Sequence, residues 1–568
     1  MKKSKRIFRV LLAMLLVFIM VMAGCGKKAD SKGSTAPSSG SSTTGSSSSQ
    51  SSGDSKDSNA PALHKTPISE MSFEGAVYGG TLRVGNRFSG VNNIGFPFTM
   101  ATNSCWEQIN ACPAIETLAR YNDKGELEPW LAEKWEIDPE KLTMTIKIRS
   151  GVKFHDGTDF DAEALVWNLE QSTVYGRNEL DAVKEYEIVD DTTVVLHLSQ
   201  WDSAIEENVL YTCGWIVSPT AVKKNGMDWA CANPVGTGPF VFEKWERDVG
   251  VYYNRNENYW REGQPYLDRV EMCIYSDVTA LSAALETGKI DVVIPADASV
   301  AKAWAKRGGI TETGPTSSMT IHSIIFPSNN PDLPFYDVRV RKAMAHAIDT
   351  QAIAELMSEQ GGDYHAITQM ALPGSMSWDD TIKGYEYNPE KAKQLLKEAG
   401  YENGFTIPQY VIASNNLLKQ CADIVAAYLA DVGIKVENQN NDMALIAEMT
   451  AGTGKQLDGI VWFCTTVGNN CTSAYAKTFI EGANTYATIT AKPDDMVKAI
   501  KDAKAARTPE EIADACKRMV RSNYENVMII PVAVQYNGQC INNYVHNFSF
   551  VRHDPNDWYP ESVWMDKH

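Results

Sequence analysis

The chain has 568 residues, 43% of them apolar and 10% aromatic, which is enough for more than one buried core. A net charge of −18 and a pI near 5.1 argue against binding nucleic acid and against lying flat on an anionic membrane. Eleven cysteines and nine histidines show no CxxC or Cys/His set with zinc spacing, so neither a metal site nor a cofactor is expected.

Lys2, Lys3, Lys5, Arg6 and Arg9 form a basic start, followed by an apolar run over 10–21. These are the n- and h-regions of a secretory signal. The run is about a dozen residues, short of the roughly 20 that cross a bilayer as a helix. It ends at Met22-Ala23-Gly24-Cys25, which resembles the lipobox of bacterial lipoproteins. That resemblance implies cleavage after residue 24 and diacylation (palmitate-type) of Cys25, and two acyl chains hold a protein stably on a membrane. Residues 25–77 are read as the lipidated cysteine and its linker. The 31–60 stretch is nearly all Ser, Gly and Thr, too polar to order itself. A coil of some 35 such residues reaches roughly 30–35 Å.

Beyond 77 the chain is too long for one compact core and implies two or three domains. Leu142, Met144, Ile146 and Ile148 alternate with polar residues, the period of a half-buried strand. His155-Asp156-Gly157-Thr158 is a polar turn ahead of a helix capped by Asp161 and burying Leu165 and Leu169. A helix over 279–286 stops at Gly288 before a strand over 290–294. Val340, Ala343, Met344, Ala347 and Ile348 mark one face of another helix. Asn388 caps a helix with Pro389 at its first position and Gly400 at its stop. A helix over 423–431, closed by Gly433, leads into a strand at Ile434-Lys435-Val436. Repeated α-then-β units predict α/β layers with mixed sheets.

Several blocks, in order, resemble the extracellular solute-binding proteins of peptide/nickel ABC importers, family 5. They are Tyr78-Gly79-Gly80-Thr81-Leu82-Arg83-Val84-Gly85, Glu116-Thr117-Leu118, and Leu127-Glu128-Pro129-Trp130 continuing to Trp135. Arg149-Ser150-Gly151-Val152-Lys153-Phe154-His155-Asp156-Gly157-Thr158 is similar to the most characteristic signature. Gly236-Thr237-Gly238-Pro239-Phe240, Asn258-Tyr259-Trp260, Glu286-Thr287-Gly288-Lys289-Ile290-Asp291 and Pro334-Phe335-Tyr336-Asp337 follow. The resemblance implies a two-lobed, periplasmic-binding-protein-like α/β fold of the class II (cluster C) type, with an extra small domain inserted in the first lobe. The first lobe would combine 78–110, 230–315 and 530–568, the insert would be 111–229 and the second lobe 316–529. It further implies a monomeric receptor, not an enzyme, that holds a small solute between its lobes and delivers it to an ABC permease and ATPase.

The turn at His155 and the glycine-rich loop at Gly236 could suggest catalysis or phosphate binding, but a tight turn and a domain re-entry are the expected roles. Pro239 removes an amide that a phosphate cradle would use. Arg339 and Arg341 could hold an anion, with structural ion pairs as the plainer reading. By position, the segment 458–470 resembles the family's cleft-lining strand and loop. Peptide binders of the family often carry an aspartate just after the aromatic residue, where it pairs with the peptide's amino terminus. Here Cys464-Thr465-Thr466 stands there, and no Asp or Glu occurs over 459–480. Trp462 and Phe463 offer aromatic faces, one of them expected in the core, while Thr465, Thr466, Asn469 and Asn470 offer hydrogen bonds. Phe98, Thr99 and Trp378 complete the candidate ligand-binding set. The expected solute is an oligopeptide or peptide-like molecule by the weight of the family. A neutral oligosaccharide or other polar solute is the alternative, and an extracellular hydrolase a third reading. Cys105/Cys112 and Cys464/Cys471 are close enough in sequence to pair, while a reduced, buried set of cysteines is the other reading.

Overall fold

The computed structural model describes residues 71–566, apart from 88–92, 100–104, 123–125, 176–177, 276, 297, 313–318, 360–362, 414, 452–455, 466, 481–487, 537 and 550–557. The signal segment, Cys25 and most of the linker lie outside the described residues.

The alternation at Met144, Ile146 and Ile148 produces the strand Thr143–Ile148, with all three side chains fully buried. Leu142 stands just outside it, in a left-handed turn at φ 55°. This strand belongs to a four-stranded antiparallel sheet ordered Ala132–Asp138, Thr143–Ile148, Thr193–Leu198 and Val183–Asp190. Across its inner face lies the helix Ala162–Val174, whose N-terminal amide at Ala164 donates to Asp161 at 2.9 Å while Leu165 and Leu169 fill the core.

A seven-stranded sheet runs Phe240–Glu246, Gly250–Arg255, Arg269–Ile274, Thr81–Asn86, Val292–Ala296, Gly538–Ile541 and Ile310–Glu312. A six-stranded sheet runs Asp363–Ala366, Ile529–Tyr536, Met319–Ile325, Ile460–Thr465, Phe405–Ile412 and Ile434–Asn441. Apolar clusters cover both faces of the second sheet, one built on the helices Val338–Ala347 and Asn416–Ala430, the other on Asp494–Ala505 and Pro509–Asn526. Near-continuous apolar runs such as Ile-Ile-Pro-Val-Ala-Val in Ile529–Tyr536 reflect that double burial.

Three boundaries differ from the sequence reading. Residues from 530 were expected in the first lobe, yet Ile529–Tyr536 pairs inside the six-stranded sheet with Met319–Ile325 and Asp363–Ala366. The return to the seven-stranded sheet comes only with Gly538–Ile541. The strand expected over 290–294 is Val292–Ala296, because Ile290 is still held by the helix end through its amide to the Ala284 carbonyl. The helix expected to start at 423 is Asn416–Ala430, since Asn415 caps it through the Leu418 amide at 3.0 Å.

Candidate functional site

Strand direction fixes where the two large sheets can share a ligand. Met319–Ile325 is antiparallel to both Ile529–Tyr536 and Ile460–Thr465, with Met319 opposite Tyr536 and Ile321 opposite Thr465. Phe405–Ile412 and Ile434–Asn441 run parallel to Ile460–Thr465. Met319, Tyr536, Asp363, Thr465, Ile412 and Asn441 therefore share one end of the six-stranded sheet. The chain passes between the sheets at that end, from Glu312 to Met319 and from Tyr536 to Gly538. On the seven-stranded side Gly538 faces Ala296, and Val292–Ala296, Thr81–Asn86 and Arg269–Ile274 are parallel. The carboxyl ends of these strands thus flank the two crossings, and α/β sheets place ligands outside the carboxyl ends of their strands.

At the end of Ile460–Thr465 the structure brings together groups that the sequence did not link. Cys464 is solvent-accessible, with its sulfur 3.2 Å from His322 Nδ1. The other ring nitrogen of His322 lies 3.0 Å from Gln535 Oε1. An amide oxygen only accepts, so His322 Nε2 carries the proton and Nδ1 accepts from the Cys464 thiol. Burial lowers the pKa of His322, which favours the neutral imidazole, and desolvation pushes the Cys464 thiol up to about 12. Tyr364 stands edge-on to the His322 ring at 5.4 Å. His322 and Gln535 were missed because they lie 142 and 213 residues from their partners. The one local signal is a histidine set among the isoleucines of Met319–Ile325.

The other candidates fall in several places. Trp462 is a core residue, 5% exposed, and its indole nitrogen has no hydrogen-bond partner. Phe463 lies in the strand, its side chain outside the described residues, as is Thr466. Thr465 is half-buried at the sheet end. Asn469 Oδ1 accepts from the Met376 amide at 2.9 Å, and the Asn469 carbonyl accepts from Ser377 Oγ at 2.9 Å. Asn470 Oδ1 accepts from the amide and hydroxyl of Thr472 at 2.9 and 2.6 Å, closing the start of the helix Thr472–Phe479. Trp378 packs on the core of the second sheet and donates to Asp380 Oδ1 at 3.0 Å. Phe98 is 3% exposed against Phe96 and Trp167 in the first body. Thr99 is exposed and accepts from Asn93 at 3.0 Å.

The motif blocks meet elsewhere, at the joint between the small sheet and the seven-stranded one. Glu116, 1% exposed, accepts from Tyr259 Oη and Thr237 Oγ1 at 2.7 Å, Trp130 Nε1 at 2.8 Å and Trp260 Nε1 at 3.0 Å. Burial raises its pKa against the pull of Arg120 and those bonds. His155 donates its amide to the Gly236 carbonyl at 2.9 Å and sets its ring 2.9 Å from the Gly238 carbonyl. Burial pushes that imidazole down to about 4, which removes it from proton relay near neutral pH. Gly236 and Gly238 lie so close to the Ala114 backbone that neither has room for a Cβ. Arg341 is buried and donates to the carbonyls of Phe335, Tyr336 and Asn526, while Arg339 pairs with Asp337. Both arginines have structural partners.

Residues 126–460, more than half of the chain, match the model of the bacterial extracellular solute-binding proteins, family 5, middle region. The chain belongs to that family. Its members are receptors that bind small solutes outside the cytoplasm and deliver them to an ABC permease and ATPase. The family 5 chain is 29% identical over 368 residues to the glutathione-binding protein GsiB of Shigella flexneri, covering 64% of this chain and 70% of that one. It is 32% identical over 344 residues to heme-binding protein A of Haemophilus influenzae, covering 55% and 61%. Its fold matches the periplasmic binding protein DppA of Helicobacter pylori in complex with the peptide STSA. The TM-score is 0.72 and the identity 20%, over 87% of this chain and 99% of that one. The architecture is the two-lobed α/β fold of such proteins, and the crossings described above run between its lobes. Among the described residues no helix is long and apolar enough to cross a membrane.

Proposed function

We propose that this family 5 receptor is held on the outer face of the cell membrane by a lipid on Cys25, as a monomer. There it encloses one peptide-like solute whose contact with the Cys464 end of the second lobe is uncharged. The observation that carries the reading is the neutral group at the sheet end: the Cys464 thiol, the Thr465 hydroxyl, the His322 imidazole and the Gln535 amide. Such groups bond amides and hydroxyls. A solute ammonium buried against these four groups would meet no carboxylate among them, at a cost of several kcal/mol, while Asp363 at the same sheet end is held by His365 at 3.0 Å. The ligands of the relatives, glutathione and a tetrapeptide among them, are of the matching size class.

The test is mass spectrometry of whatever co-purifies with the exported protein, joined to melting curves with four probes. These are amino-blocked peptides, the same peptides with a free amine, glutathione and a neutral oligosaccharide. Blocked peptides should raise Tm most, and Cys464→Asp should move the preference toward free amines. A larger shift with free amines in the unaltered protein, or with the oligosaccharide alone, refutes the solute class. The anchor is tested separately: Cys25→Ser should release the protein from the membrane fraction, and retention there would refute the tether.

A further inference from the structure

Cys471 and Cys516 are both fully buried, and the structure holds both as free thiols. Cys471 directly precedes the helix Thr472–Phe479, and Cys516 sits in the middle of Pro509–Asn526. The Cys471 sulfur is 4.0 Å from the Cys516 carbonyl oxygen. The Cys516 sulfur is 3.3 Å from Asn470 Oδ1 and 3.6 Å from Thr472 Oγ1. Both neighbours of Cys471 thus reach the sulfur of Cys516, so the two side chains converge from facing elements. The Cys471 amide accepts no part in this pairing. It donates to Ser377 Oγ at 3.1 Å, and that hydroxyl holds the Asn469 carbonyl. The loop that continues Ile460–Thr465 is therefore anchored on two sides, and the thiol pair sits at one anchor.

We propose that Cys471 and Cys516 are joined by a disulfide formed as the exported chain folds, and that this bond fixes the 469–472 loop to the helix Pro509–Asn526. The family works outside the cytoplasm, where disulfides form and persist. The oxidant is a second disulfide, carried by a small thiol or by a thiol oxidoreductase. The Cys516 thiolate attacks one of its sulfurs, forming a mixed disulfide and expelling one thiolate. The Cys471 thiolate then attacks the Cys516 sulfur and expels the other. The protein loses two protons and two electrons, and the oxidant ends as two thiols. Both sulfurs are sealed in the folded protein. Exchange therefore precedes final packing, and the finished bond is shielded from small reductants.

The experiment uses full-length protein recovered from the cell surface, denatured without reductant, alkylated, digested and mapped by mass spectrometry. The expected result is a 471–516 linked peptide pair, lighter by two hydrogens than the sum of its parts, and lost on reduction. Quantitative alkylation of both cysteines, or a Cys464–Cys471 link, overturns the proposal. A second measurement uses melting curves of Cys471→Ser, Cys516→Ser and the double variant. Loss of one shared bond should lower Tm by about 3 °C in each single variant, with no further drop in the double. Additive drops overturn the proposal even where one variant folds poorly.

Discussion

Replacing Glu116 with alanine should weaken the protein more than any single truncation on its surface. The side chain is 1% exposed and accepts four hydrogen bonds, from Tyr259, Thr237, Trp130 and Trp260. A buried donor stripped of its acceptor costs about 1–3 kcal/mol. Taking the lower value, four stranded donors sum to about 4 kcal/mol. Glu116→Gln keeps one acceptor oxygen, which can still serve Tyr259 and Trp130. The Thr237 hydroxyl can turn to accept from the new amide, while the Trp260 indole, a donor only, meets an NH₂ group. The expected loss is then about 1–2 kcal/mol. Urea unfolding followed by tryptophan fluorescence reads both, because Trp130 and Trp260 stand at the site. The pH dependence supplies a second check. Burial raises the folded-state pKa of Glu116 above its ordinary 4.5, so the folded chain binds this proton more tightly than the unfolded chain. The associated stability is present below pH 4.5 and is lost as pH rises through the raised value. Glu116→Gln should lack that fall, so its deficit against the unaltered protein should be largest in acid and shrink toward neutrality. An alanine variant within about 1 kcal/mol of the parent would refute the account of the joint.

Two further outcomes follow from contacts outside that joint. Trp201 Nε1 donates to the Ala506 carbonyl at 2.8 Å, and Ser203 donates through Oγ to Ala503 at 2.6 Å and through its amide to Lys504 at 2.8 Å. The small body thereby caps the carboxyl end of the helix Asp494–Ala505 in the second lobe. Trp201→Ala with Ser203→Ala removes about 2 kcal/mol of that hold. The radius of gyration from small-angle scattering should grow, and an unchanged value would count against the contact. The Cys464 thiol is accessible, yet it is pushed up to about 12 and holds little thiolate at neutral pH. Iodoacetamide at pH 7 should modify it more slowly than a free cysteine, as read by peptide mapping. Labelling at the free-cysteine rate would contradict that environment.

The residues that made the family legible are local strings, and the structure explains why. Glu116, Trp130, His155, Gly236, Gly238, Tyr259 and Trp260 each lie inside a short block, and the blocks close on one another at a single joint. That joint requires a buried acceptor for two indoles and glycines with no room for a Cβ, so few residue types can serve there. Caps and stops were equally readable at Asp161, Asn388 and Gly400, because each acts within four residues of itself. The boundary at 530 was not, because an apolar run of six residues fits either sheet and only its strand's pairing with Met319 and Asp363 assigns it.

The proposed solute end obeys a different logic. His322, Cys464 and Gln535 come from three strands that neighbour each other only after the second sheet has assembled. Each is an ordinary residue in its own segment, and strand alternation tells which face it takes but not which end of the sheet it reaches. The chain's departure from the peptide-binding pattern, Cys464 in place of an acid, was visible in sequence as a missing charge. What replaces the charge was not, since the replacement is a thiol resting on an imidazole whose tautomer is set by an amide 213 residues away. The family resemblance of this chain rests on residues that meet at one joint. The proposed solute contacts lie at strand ends away from that joint, so the same sequence can announce the receptor and leave its cargo to be found by experiment.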